Sequence, residues 1–188
     1  MSERGRDWLL TGLFLGAVAL LVGIGWFSRT DRGYAPVSRG QMAPALTLDR
    51  LDGGTLSLEE LRGKVVMLNI WATWCAPCRI EMPSMQRVYD DYRDHGFEVV
   101  AVSVDADPGL LQPDGTIAGM VADFVERYGL TFPVVVDPTG GTERLYGVDA
   151  LPTTFLIDRA GMIRVREVGG RYWDREPQVD MIRKLLEE

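Results

Sequence analysis

The 188-residue sequence predicts an α/β protein, a three-layer α/β/α sandwich with an N-terminal β-hairpin, behind one transmembrane helix. Three observations predict it. Trp8 to Phe27 carries no charge; apolar strand-like runs alternate with helical stretches; and a Cys-x-x-Cys sits where one such strand gives way to a helix. Alternation of this kind yields a parallel core with right-handed crossovers, to which a late hairpin adds antiparallel strands.

As a helix, residues 8–27 would extend about 30 Å, the thickness of a bilayer's hydrocarbon core. Trp8 and Trp26 sit at its ends, where indoles favour the interface. A cleaved signal peptide has a shorter apolar region, ~7–15 residues, ending in small residues. Here the nearest small residue beyond the run, Ala35, precedes Pro36, so an uncleaved anchor is expected. Arginines flank the span on both sides and leave its orientation open. The organisation that follows is an anchor over 1–28, a polar Gly- and Pro-containing tether over 29–44, and a folded domain over 45–188.

Composition bounds the function. Hydrophobic residues make up 46% and charged residues 25%, which excludes disorder. Twenty Lys+Arg face 27 Asp+Glu, a net charge of −7, and residues 1–31 hold three of each sign. The acidic body therefore excludes nucleic acid as a partner. Two cysteines and one histidine exclude both a disulfide-stapled scaffold and a four-ligand zinc site.

Within the body, Asp52-Gly53-Gly54 between Ala45–Asp49 and Thr55–Ser57 signals a hairpin. Ser57-Leu58-Glu59-Glu60 fits a capping box. Lys64–Trp71 reads as a strand covered on both faces. A helix over about Ala76–Asp94 should break or bend at Pro83 and stop at Gly96. Phe97–Val104 is the next buried strand, followed by a loop over 105–115 and a helix over Thr116–Tyr128. Pro133–Val136 and Thr153–Asp158 are further strands, and Asp158-Arg159-Ala160-Gly161 turns the chain into Met162–Val168. Val179, Ile182, Leu185 and Leu186 mark one side of an amphipathic helix over Asp174–Glu187.

Trp74-Cys75-Ala76-Pro77-Cys78 carries the chemistry. A cysteine at a helix N-terminus faces unpaired amides and the positive end of the dipole, which favour the nucleophilic thiolate. Two intervening residues bring Cys78 within one turn, and Pro77 suits the first turn, where a missing amide costs little. A bridge this short constrains the unfolded chain little, so redox chemistry explains it better than stabilisation. Glu81, one turn beyond Cys78, could lie beside that thiol, take up its proton and disfavour thiolate.

The stretches NIWATWCAPCRIEMP (69–83) and YGVDALPTTFLIDRAG (146–161), with the anchor, resemble the membrane-tethered thioredoxin-like proteins of the TlpA/ResA type from about Pro44 onward. The resemblance implies a thioredoxin-like fold and a thiol–disulfide oxidoreductase on a bacterial cytoplasmic membrane, its C-terminal domain outside the cytoplasm. It implies action on apocytochrome c or copper-site thiols, a membrane thiol-reducing donor, and no cofactor beyond the dithiol. Carried over, Cys75 attacks, Cys78 resolves and Glu81 assists proton transfer. Pro152 resembles the cis-proline facing the Cys pair, with Trp74, Pro77, Leu151 and Thr153 around the substrate. Asn69 stands where ordinary thioredoxins carry a buried aspartate, which leaves Glu81 as the candidate proton carrier.

Other residues read as structure: Trp71 as packing, Arg79 as solvent-facing, His95 as a helix C-terminal residue, and Asp90, Asp91 and Asp94 as a solvated helix face. A thiol-based Cu(I) or haem chaperone is the alternative, with Met82 and Met85 as packing rather than ligands. Peroxide reduction on the same fold is disfavoured, because the threonine expected three residues before the attacking cysteine is Ala72.

Overall fold

Seven strands form one sheet, in the spatial order 55–57, 47–50, 134–136, 97–103, 65–71, 153–157 and 163–168, in a computed structural model that describes Gly16, residues 37–111, Pro113, Gly115 and residues 119–188. Apart from Gly16, the anchor run 8–27 lies outside the described residues. Among the described residues, no helix is long and apolar enough to cross a membrane.

The strands are β1 (Thr47–Arg50), β2 (Thr55–Ser57), β3 (Val65–Trp71), β4 (Phe97–Ser103), β5 (Val134–Val136), β6 (Thr153–Ile157) and β7 (Ile163–Val168). β3, β4 and β5 run parallel at the centre, while β1, β6 and β7 join antiparallel. Every residue of β3 and β4 is buried, as their unbroken apolar runs require of strands covered on both faces. Strand alternation then sorts the core. Val65, Met67 and Trp71 face α1 (Ala76–Tyr92), α2 (Val121–Tyr128) and α4 (Gln178–Glu187). Val66, Leu68 and Ile70 face α3 (Gly141–Tyr146), a 3-10 turn over Leu58–Leu61 and the segment from Val37. The three layers and the N-terminal hairpin are those expected.

Several local expectations changed. The capping box does not form: Ser57 makes no side-chain cap bond and its hydroxyl donates to Glu59 instead, at 3.2 Å. Only a four-residue 3-10 turn follows, too short for the reciprocal bonds of an α-helical start. α1 runs unbroken through Pro83, which forgoes one amide bond while the turns on either side pack Met82 and Met85 into the core. α2 starts at Val121 and α4 at Gln178, each later than expected. α3 went unforeseen because Gly140-Gly141 reads as a breaker. Asp137 nucleates it by accepting from the Thr139 hydroxyl at 2.5 Å and the Thr142 amide at 2.5 Å. The chain also joins the folded body before Ala45: the Val37 amide donates to the Tyr146 carbonyl (3.3 Å) and Ala43 is buried.

Leu68, fully buried at the centre of the sheet, tests this core. Leu68→Ala should cost about 2–5 kcal/mol in chemical unfolding, whereas Asp91→Ala on the exposed face of α1 should stay within about 0.5 kcal/mol. Equal effects would contradict the assigned core.

Candidate active site

β3 ends at Trp71, and four residues later Cys75 caps α1 in an extended conformation. Its sulfur accepts from the Cys78 amide at 3.3 Å, so it occupies the N-terminal donor site that favours negative charge. Pro77 sits in the first turn, as its missing amide allows. Cys75 and Cys78 form a disulfide. Cys75 keeps 6% exposure and Cys78 none, so the first sulfur is the one solvent reaches.

The loop between them and β3 is held from below. Asp105, just past β4, accepts from the Thr73 amide (2.9 Å), the Thr73 hydroxyl and the Ser103 hydroxyl (2.7 Å). By sequence Asp105 belongs to the loop over 105–115. Its signal was its place directly after a central parallel strand, at the same end of the sheet as the cysteines.

The Leu151–Pro152 bond is cis, and the Pro152 carbonyl accepts from the Gly169 amide at 2.8 Å. A groove of about 520 Å³ runs along Trp74, Cys75, Ala76 and Pro77 on one side and Val148, Ala150 and Leu151 on the other. Of the expected substrate-facing residues, Trp74, Pro77 and Leu151 line it. Pro152 and Thr153 are buried and absent from its lining, the Thr153 hydroxyl donating to the Ala150 carbonyl (2.7 Å). Gly170 passes so close to the first turn that an added Cβ would stand 2.8 Å from the Pro77 carbonyl oxygen. That close approach requires glycine.

Glu81 is fully buried beneath this turn. Asn69 on β3 donates to its Oε1 at 2.8 Å and to the Thr154 hydroxyl at 2.9 Å, across the register pair Asn69–Thr154. The Arg171 amide (3.1 Å) and the Trp173 indole (3.2 Å) donate to Oε2. Ser84 completes the tie, donating to the Glu81 carbonyl (2.7 Å) and accepting from the Trp173 amide (3.0 Å). Desolvation by burial outweighs these donors and pushes the Glu81 carboxyl up to about 7 from an ordinary 4.5. Arg171 and Trp173 were invisible in the sequence as site residues, since they lie some 90 positions away in a segment without a motif.

The remaining candidates read as structure. Trp71 packs on Phe124 with ring centroids 4.9 Å apart, Arg79 is exposed, and Ala72 is a buried methyl with no hydroxyl to offer. Asp90, Asp91 and Asp94 form an exposed or partly exposed face. Met82 and Met85 are fully buried core residues. His95 follows the far end of α1, about 30 Å along the axis from Cys75 at about 1.5 Å per residue, too far to share a metal with the sulfurs.

The carboxyl shift has a consequence for stability. The folded protein holds the Glu81 proton up to about pH 7, while the unfolded chain releases it near 4.5. Stability is therefore full below the lower value and declines as pH rises through the window, by on the order of 3 kcal/mol in total. Glu81→Gln removes that decline. Chemical unfolding of both disulfide-intact proteins should show wild type losing about 3 kcal/mol relative to the variant between about pH 4.5 and pH 8. A pH-independent difference would mean an ordinary carboxylate.

The chain is similar to known proteins. A model described as the AhpC/TSA family matches residues 39–166. Thiol-disulfide oxidoreductase ResA of Halalkalibacterium halodurans is 35% identical over 170 residues, 90% of each chain. Its namesake from Geobacillus thermodenitrificans is 44% identical over 128 residues, 68% of each. Among solved structures, the thiol:disulfide interchange protein DsbE from Chlorobium tepidum superposes with a TM-score of 0.69 at 37% identity, over 80% of this chain and 99% of that one. With a thioredoxin-like sheet, a cysteine pair opening its first long helix and relatives of this kind, the chain belongs to the AhpC/TSA family, among the ResA-like thiol–disulfide oxidoreductases.

Proposed function

We propose that the protein is a membrane-anchored reductase of protein disulfides, working outside the cytoplasm through Cys75 attack and Cys78 resolution. The observation that carries this reading is the unequal pair at the start of α1: a solvent-edge sulfur on the helix N-terminus joined to a fully buried one. In the reduced protein, the Cys75 thiolate attacks one sulfur of a substrate disulfide, and the departing substrate sulfur takes a proton. Cys78 then attacks the Cys75 sulfur of the mixed disulfide, giving its proton to the Glu81 carboxylate, and the second substrate sulfur leaves as a thiolate that takes a proton from solvent. Two electrons pass to the substrate, and the protein ends as the disulfide. Ionised before Cys78 attacks, a carboxyl whose pKa is raised to about 7 is basic enough to accept the thiol proton and to hold it in the disulfide form.

Residues 8–27 act as the anchor in a bacterial cytoplasmic membrane, and a thiol-reducing donor in that membrane returns the dithiol. The disulfides of apocytochrome c or of copper-site cysteines, during cytochrome c maturation or oxidase assembly, are the substrates. The sequence run itself supports the anchor.

Cys78→Ser should accumulate covalent adducts on Cys75 when offered a disulfide substrate, because nothing remains to resolve them. Mass mapping that finds no adduct at Cys75 would reverse the roles. The reduction potential provides a second measure. Pro77 and the buried carboxyl provide no exceptional thiolate stabilisation, so equilibration in thiol buffers should give a value nearer about −270 mV than about −120 mV. A value at the oxidising end would make the protein a disulfide donor.

A further inference from the structure

Two charged side chains occur among the described residues lining the groove beside Cys75, and both are carboxylates: Glu143 of α3 and Asp149 of the loop that leads to Pro152. The rest of the lining is apolar or small, including Trp74, Pro77, Val148 and Leu151. We propose that the groove selects polypeptide segments carrying a lysine or arginine beside the cysteine that is attacked, which rests on the reductase reading above.

The neighbouring cations do not neutralise the groove. Arg166 reaches Asp149 only at 3.9 Å, donates to the Gly147 carbonyl at 3.0 Å and packs over Phe155, while the Asp149 side chain remains 88% exposed. Such an exposed, long pair is worth little. Arg144, next to Glu143, is committed to the Thr139 carbonyl at 2.9 Å. Arg79 is exposed but is not part of the lining. Partial burial and the nearby Asp137 hold the Glu143 carboxyl above its ordinary value, a cost that an arriving cation would relieve. Apolar walls with carboxylates of one sign focus the field at the point where the substrate backbone must lie to present its sulfur to Cys75. The acidic body adds long-range attraction of the same sign.

Single-turnover reduction by the pre-reduced full chain tests this. The probes are two disulfide-closed peptides identical except for lysine or glutamate beside the cysteine. Each rate is divided by that of the same protein with uncharged hydroxyethyl disulfide, so that changes in dithiol reactivity cancel. The lysine peptide should react about tenfold faster at low ionic strength, with the advantage shrinking as salt rises. Glu143→Gln with Asp149→Asn should collapse the ratio to about twofold or less. Asp90→Asn with Asp91→Asn, the same charge change on the outer face of α1, should preserve it. A wild-type ratio near one, or an equal loss in both double variants, would overturn the proposal. Failure to reduce hydroxyethyl disulfide at all would instead overturn the reductase reading on which it rests.

Discussion

A carboxyl group buried beneath the active-site turn ties the redox site to the rest of the protein. Glu81 sits on α1, takes one hydrogen bond from β3 through Asn69, and takes two from the strand-to-helix segment through Arg171 and Trp173. Three elements distant in sequence meet at one functional group. Burying that group is unfavourable for its charged form, and the donors offset only part of the penalty. A proton held near neutrality results, one turn from Cys78.

The sheet makes that meeting possible. β3 alternates strictly, so Asn69 projects to the same face as Met67 and Trp71, under α1, while Leu68 and Ile70 fill the opposite core. An amide suits this place better than an apolar residue would. Its Nδ2 meets a carboxylate oxygen, and a half-turn of the same amide would present Oδ1 to a protonated one. Across the strand pair, Thr154 holds the amide in line. From the other side, Gly170 lets the following segment press against the Pro77 carbonyl, which brings Arg171 and Trp173 within reach of Glu81.

Much of this was legible in the sequence, and the missing parts have a common cause. Unbroken apolar runs identified β3 and β4, and the Cys-x-x-Cys at the strand-to-helix joint located the chemistry, because both signals are local. Glu81 was legible by its spacing, one turn beyond Cys78, together with the family resemblance. Its donors were not, since Arg171 and Trp173 approach through tertiary packing of a motifless segment. Asp105 escaped for the same reason: its partners Thr73 and Ser103 belong to two different strand ends. Local breakers misled where side chains compensate, as at Gly140-Gly141, where Asp137 caps the helix, and at Pro83, where packing of Met82 and Met85 outweighs one lost bond. Pro152 and Thr153 were expected at the substrate surface, yet the groove wall beside Cys75 is formed by their neighbours Ala150 and Leu151.

In the disulfide form Glu81 holds its proton up to about pH 7, and vibrational spectroscopy reads that proton directly. The carbonyl stretch of protonated carboxyl groups in the oxidised protein, taken as a difference against Glu81→Gln, should fade on raising the pH with a midpoint near 7. A difference band that disappears near 4.5, the ordinary glutamate value, would contradict the account.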